Sequence, residues 1–327
     1  MAVSRLTLVL VVASSALLGM TRPITASSGG LKVLVAGNCA QPDLVTAIRA
    51  QPSIGSVTAF DTSAGTPTAA QFTSNDLVVD TGDDCNGGYK NAHSYGNRLA
   101  EYVDHGGAVL QTAYDVWDSP GTYPTGRFES QLYSPFFPGP RDDKATTLGT
   151  VLTRLQDRYP GLLPIVQGLG TFATSKNTTD SLAANCILLA PWADGRVAIA
   201  LRGRVVATSA GADDEAAIPG IARLARNMAV FYNAPPDTHL DSVTINSGRR
   251  LASFRFLVAG FGPGSGGYAT GFRCELKEAG VKATFTACSS PKRYTRLAPG
   301  KYVFEVAAVS RHGSDPTPAT KRFRIFP

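Results

Sequence analysis

The 327-residue chain predicts an α/β unit built on a parallel sheet, followed by a small all-β sandwich. Three observations carry that expectation. Apolar, strand-like runs alternate with helix-like periodicities over the first two thirds of the chain. Near residue 234 the pattern changes to short strands separated by turn residues. Within that second region two cysteines, Cys274 and Cys288, each sit in an alternating strand pattern.

Residues 1–26 read as an export signal. Arg5 supplies a thin positive start, Leu6 to Leu18 is a short apolar run, and Thr25-Ala26-Ser27-Ser28 offers a cleavage point near Ala26. The run is about thirteen residues and a membrane helix needs roughly twenty, so no stable membrane span is expected after cleavage. The alternative is a retained N-terminal anchor. An extracellular location is the expectation, with cell-wall association as one form of it.

Residues 31–234 form the expected α/β domain. Leu31 to Gly37 is a continuous apolar run ending in glycine, as a buried parallel strand reads. Leu44, Val45 and Ile48 recur at helical spacing. Ser56 to Phe60 and Asp76 to Asp80 are the next strands. Leu99, Tyr102 and Val103 share one helical face, and Gly106-Gly107 ends that helix. Ala108 to Ala113 is a fourth strand. Residues 114–142 read as a long aromatic loop, and Leu148 to Tyr159 as a helix. Cys186 to Ala190 and Arg196 to Thr208 are late strands, and Ile218 to Tyr232 is an amphipathic closing helix. Asn233-Ala234-Pro235-Pro236 is the linker. Residues 235–327 then hold seven short strands, near Ser242–Asn246, Ala252–Ala259, Thr270–Leu276, Ala283–Ala287, Lys292–Thr295, Lys301–Ala308 and Thr320–Ile325, which describe a sandwich.

Charge is unevenly divided. From Asp237 onward there are fourteen Lys and Arg against six Asp and Glu, a net of +8, while the rest of the chain carries a net of −2. A basic tail prefers anionic cell-wall polymers or acidic glycans; a strand surface made soluble by Lys and Arg is the plainer account. Nucleic acid is not an expected partner, because the cations are scattered and no recognition module frames them.

The N-terminal domain resembles the class I glutamine amidotransferase-like, flavodoxin-like group, including its ThuA-like members. The likeness rests on LKVLVAG, DLVVD, Asn97 to Gly107 leading into AVLQ, and Tyr133-Ser134-Pro135-Phe136. Catalytic members of the wider group place a cysteine nucleophile between flanking glycines; no Gly-x-Cys-x-Gly occurs here, so glutaminase activity does not carry over. The tail resembles the immunoglobulin-like or fibronectin-type-III-like modules of secreted bacterial proteins, through Phe254-Arg255-Phe256, Phe272-Arg273-Cys274, Cys288 to Pro291, Leu297 to Tyr302 and Asp315 to Thr320. Such modules are spacers or binding domains. Pro263 to Gly267 departs from the pattern as a loop insertion, and Lys277 to Gly280 replaces the usual tight turn.

The candidate chemistry gathers after the DLVVD strand. Asp83, Asp84, Cys85 and His93 are the catalytic candidates, although two adjacent carboxylates disfavour a reactive thiolate. Asp80 with Asp83, Asp84 and His93 has the donors for a hard cation or for acid–base work, at the edge where open α/β sheets bind ligands. Carboxylates in a glycine-rich loop are more commonly solvated turn formers, and no metal or cofactor is assigned. Tyr114, Trp117 and Tyr123 offer platforms for sugar rings, or else fold inward as a small core. Cys274 and Cys288 are expected to pair within one hairpin. Cys39 and Cys85 pair if the first and third strands are neighbours, and Cys186 stays buried and unpaired. The expectation is a secreted, non-catalytic ligand-binding or cell-surface protein directed at carbohydrate; the alternative is a secreted hydrolase working at the same edge.

Overall fold

The computed structural model describes residues 30–39, 41–82, 88–113, 121–137, 139–142, 145–149, 159–169, 172–175, 177–178, 181–258, 269–278, 281, 283–310 and 313–327. The export signal, the Pro263–Gly267 insertion and all but the ends of the helix read over 148–159 lie outside the described residues.

The first sheet has seven strands: β1 (Leu31–Gly37), β2 (Ile54–Asp61), β3 (Leu77–Thr81), β4 (Val109–Gln111), β5 (Ile187–Pro191), β6 (Val197–Arg202) and β7 (Val205–Thr208). Their order is β5-β6-β7-β4-β3-β1-β2. The contacts among β2, β1, β3, β4 and β7 are parallel, and β5 and β6 add an antiparallel edge. The chain runs outward from β1 to β2, then returns to lay β3 on the other side of β1. That reversal opens a crevice at the carboxyl ends of β1 and β3.

Helices cover both faces. Helix α1 (Pro42–Arg49) starts with proline at a position whose N–H has no helical partner. It buries Leu44 and Ile48, with Asp43 and Arg49 at the ends that the helix dipole favours. Helix α2 (Ala69–Thr73) begins with a reciprocal capping box between Thr68 and Gln71. Helix α3 (Ala92–Asp104) is capped by the Asn91 side chain, which accepts from Ser94 N–H at 2.8 Å. It ends where Gly106 takes φ +85°, with Gly107 N–H bonded to Tyr102 C=O and Gly106 N–H to Val103 C=O. This is the six-to-one and five-to-two pairing of a Schellman cap. Helix α4 (Arg127–Ser130) and helix α5 (Leu163–Val166) are single turns, and helix α6 (Ile218–Asn233) buries Ile221, Leu224, Ala225, Met228 and Tyr232. Strand alternation divides the core accordingly. Leu77, Val79 and Leu110 pack with α1 and α6, whereas Val78, Val109, Tyr95 and Leu99 form the core on the α3 side.

The seven tail strands all appear, as β8 (Thr238–Asn246), β9 (Leu251–Val258), β10 (Gly271–Glu278), β11 (Thr286–Cys288), β12 (Lys292–Tyr294), β13 (Gly300–Ser310) and β14 (Ala319–Ile325). They make two antiparallel sheets. One has the order β8-β9-β12. The other runs β11-β10-β13-β14 and is extended by the short Gly313–Ser314 strand. Phe254 of one sheet stacks on Phe304 of the other with ring centroids 3.9 Å apart. Cys274 and Cys288 are disulfide-bonded with Cα atoms 5.8 Å apart, between neighbouring strands of one sheet as expected.

Gly96 sits in the middle of α3 with no room for a side chain, because a Cβ there would run into the backbone of Thr125. Alanine would gain about 1 kcal/mol of helix propensity but must displace backbone, at about 1–3 kcal/mol or more. Gly96→Ala is therefore expected to lower stability in urea denaturation, against the propensity trend.

Candidate functional site

A layer of buried polar residues marks the carboxyl ends of the parallel strands. Asn38 follows β1, Thr62 follows β2, Asp80 and Thr81 close β3, Gln111 and Thr112 close β4, and Thr208 closes β7; each is no more than 1% exposed. An apolar core does not need such groups, so their partners define the site.

Asp80 is its centre. Val78 packs with the α3-side core, so strand alternation turns Asp80 to that same face. Its Oδ1 accepts from the hydroxyls of Tyr89 and Tyr95, both at 2.7 Å, and those two rings stack with centroids 4.8 Å apart. Tyr95 comes from the first turn of α3 at the same spacing as Leu99 and Tyr102. Tyr89 is fixed by its own N–H, which donates to Gly121 C=O at 2.9 Å. The other carboxylate oxygen, Oδ2, is buried without a hydrogen-bond partner. Beside it, in register on β4, lies Gln111. Both polar atoms of the Gln111 amide are buried and unpartnered as well.

Burial pushes the Asp80 carboxyl up to about 7, against the Tyr89 and Tyr95 hydroxyls and the Gln111 amide, which favour the charged form. The amide lies near enough to favour the Asp80 charge as a hydrogen-bonding neighbour, yet the pair does not reach full hydrogen-bond geometry. The group is thus a carboxyl that changes protonation near neutral pH, with one oxygen open to a further donor or acceptor.

Asp214 shows the contrast of a satisfied carboxylate. Burial works against its charge, but Thr174 Oγ1 (2.7 Å), Ser175 N–H (2.5 Å), Ser175 Oγ (2.9 Å) and Ala216 N–H (3.1 Å) all donate to it and hold its pKa below the ordinary range. It ties the segment around Thr174 to the start of α6 and leaves nothing open.

The residues singled out from the sequence fall unevenly. Asp83, Asp84, Cys85, Tyr114 and Trp117 lie outside the described residues. His93 is exposed on the first turn of α3, its Nδ1 3.2 Å from the Asn97 amide nitrogen. It does not reach the Asp80 carboxyl, which Tyr89 and Tyr95 cover. Tyr123 is half-buried, and nearby Phe128 is fully buried against Tyr133. His105 Nδ1 donates to Glu101 C=O at 2.8 Å, at the helix end where a cation is favoured. Cys39 is disulfide-bonded, and Cys85, the partner expected for it, lies outside the described residues. Cys186 is free, as expected, but half-buried rather than buried, because it stands just ahead of β5 and not within it. Among the described residues no three His, Cys, Asp or Glu side chains gather as metal ligands, and no helix is long and apolar enough to cross a membrane.

Tyr89, Tyr95 and Gln111 were not singled out from the sequence. Tyr95 was legible as an inward residue, from its spacing to Leu99 and Tyr102. Gln111, the one amide within AVLQ, gave a weaker signal.

No protein-family model matches the chain, and no curated protein matches it. Similar solved structures include a cytoplasmic protein from Salmonella typhimurium, with 12% identity and a TM-score of 0.45, covering 62% of this chain and 98% of that one. They also include a glutamine amidotransferase, with 12% identity and a TM-score of 0.35, covering 60% of this chain and 97% of that one. At such values the likenesses carry no argument about function, and the architecture rests on the chain's own strand order.

The two carboxyls give opposite pH signatures. Asp80 binds its proton more tightly when folded, so its ionisation removes stability as pH rises from about 4 to about 7, and no more above that. Asp80→Asn is expected to flatten that slope and to raise the melting temperature at pH 8, measured by circular dichroism. Asp214 contributes stability that is complete at neutral pH and is lost only in acid, as pH falls through its lowered pKa. Asp214→Asn is expected to cost about 3 kcal/mol at pH 7, since charge-assisted bonds to a buried carboxylate are lost.

Proposed function

We propose that the protein is exported and binds a small hydroxylated ligand, of the carbohydrate class, at the carboxyl edge of its seven-stranded sheet, without covalent catalysis. The observation that carries this reading is the set of three buried, unpartnered polar atoms, Asp80 Oδ2 with Gln111 Nε2 and Oε1, side by side at the ends of adjacent strands. Each needs a partner, and together they offer an acceptor, a donor and a second acceptor, the pattern a sugar hydroxyl pair satisfies. That three such atoms lie in one place supports a binding site there.

The order β2-β1-β3-β4-β7 with helices on both faces supports a flavodoxin-like, amidotransferase-like reading of residues 31–234. Two antiparallel sheets of the orders given, with a disulfide inside one of them, support an immunoglobulin-like or fibronectin-type-III-like reading of residues 235–327. In this reading the tail is a spacer or a wall contact. Disulfides persist in oxidising surroundings, which supports export.

One observation favours the competing hydrolase. A carboxyl with a pKa near 7 suits acid–base chemistry. Against it, Asp80 is wholly buried, and the thiol at the end of β1 is held in a disulfide.

A thermal-shift and calorimetric screen of the full chain against sugars and polyols is expected to find a stabilising ligand, with affinity reduced about tenfold or more by Gln111→Ala. Ester or amide turnover that Asp80→Asn abolishes would overturn the non-catalytic reading, and an empty screen on both counts would leave a structural role. Thiol titration of the denatured, unreduced protein is expected to find one free cysteine, Cys186. Three would restore Cys39 and Cys85 as candidates for chemistry.

A further inference from the structure

Within the tail, β14 gathers Lys321, Arg322 and Arg324 on one strand. On β13, Phe304 and Val306 face the core and are fully buried, so Lys301, Val303 and Glu305 face outward. Their register partners on β14 are Arg324, Arg322 and Thr320, and on the other side Val303 and Glu305 face Lys277 and Glu275 of β10. The outer face therefore carries two carboxylates directly opposite each other. Lys277 bridges them, with its Nζ 2.5 Å from Glu275 and 2.9 Å from Glu305. Lys277 offsets one of the two negative charges, and Arg322 also acts on Glu305.

What remains is a compact cationic group at one end of the sheet. Lys301 and Arg324 are direct cross-strand neighbours, and Arg322 lies two residues along β14, about 7 Å away at strand spacing. All three are exposed, and none is in an ion pair among the described residues. Next to them stands Phe326, 57% exposed, with the Arg324 guanidinium 5.3 Å from its ring centroid. The Phe326 backbone is tethered, its N–H donating to Ser247 Oγ at 3.2 Å. An exposed aromatic ring thus stands beside three cations that make no ion pair among the described residues, one of which, Arg322, also acts on the Glu305 carboxylate.

We propose that Lys301, Arg322, Arg324 and Phe326 form a binding site for a polysaccharide bearing carboxylate groups, separate from the Asp80 site. The guanidinium groups offer planar, two-pronged donors that match a carboxylate. The open face of Phe326 offers an apolar platform for a sugar ring. A polyphosphate shares the charge but has no ring to place there, which is why the aromatic favours the sugar. The site needs no contribution from the seven-stranded sheet, so its failure and the failure of the Asp80 reading are distinguishable.

The test uses the full chain, titrated with oligogalacturonate, a neutral galacto-oligosaccharide and polyphosphate. The unaltered protein is expected to bind oligogalacturonate in preference to the other two, and more weakly as salt rises. Arg322→Glu combined with Arg324→Glu is expected to weaken that binding about tenfold or more. Phe326→Ala is expected to weaken it about threefold while leaving any polyphosphate binding unchanged. Arg255→Glu combined with Arg293→Glu changes the net charge equally on the outer face of the other sheet and is expected to act by less than about twofold. Equal losses from the two Arg pairs, no binding by the unaltered protein, or tighter binding of polyphosphate with no effect of Phe326→Ala would each overturn the proposal. All the altered residues are exposed, and circular dichroism of each variant checks that it is folded.

Discussion

Strand β3 lies between β1 and β4 and is covered on both faces, and most of the α/β unit depends on that placement. Every residue of Leu77–Thr81 is buried, so the strand has no solvent face on which to discharge a polar group. Four of its five side chains meet this constraint readily. Asp80 does not, and the structure around it is arranged to receive a carboxyl. Two tyrosine hydroxyls converge on one oxygen, and a glutamine in register stands beside the other.

The arrangement is only partly compensating. Two neutral hydroxyls stabilise a carboxylate less than an opposite charge would, and burial outweighs them, so the acid is pushed up to about 7. Asp214, less deeply buried, receives four donors and is held below its ordinary range instead. The difference lies in donor number, in backbone N–H groups aimed at the carboxylate, and in the shallower position of Asp214. It separates a structural knot from a group with capacity left over.

The tail follows a different logic. Its small core is built from aromatic rings, Phe254 on Phe304 with Phe256, Tyr294 and Phe323 around them, and the Cys274–Cys288 bridge lies within one sheet. With the interior so filled, the outward positions of β13 and β14 are free to carry charge. The acidic pair there is bridged by Lys277, and Glu305 also feels Arg322, while Lys301, Arg322 and Arg324 make no ion pair among the described residues.

Local pattern was enough to give the succession of strands and helices, the change of architecture near residue 234, the Gly106 stop and the Cys274–Cys288 pair. These depend on residues close in sequence, whose periodicity, turn chemistry or spacing is visible in one dimension. The neighbourhood of β1 and β3 stood in the sequence only as a condition, and the tertiary structure supplied it. The polar site was legible only in part. Asp80 could be placed at a strand end from DLVVD, but its partners come from α3, from the loop before it and from β4. Convergence of that kind is set by the order of strands in the sheet, which no local spacing encodes. The same holds for the cationic group of the tail. The sequence fixes how many charges it has, while the cross-strand register decides which of them meet and which are left unpaired.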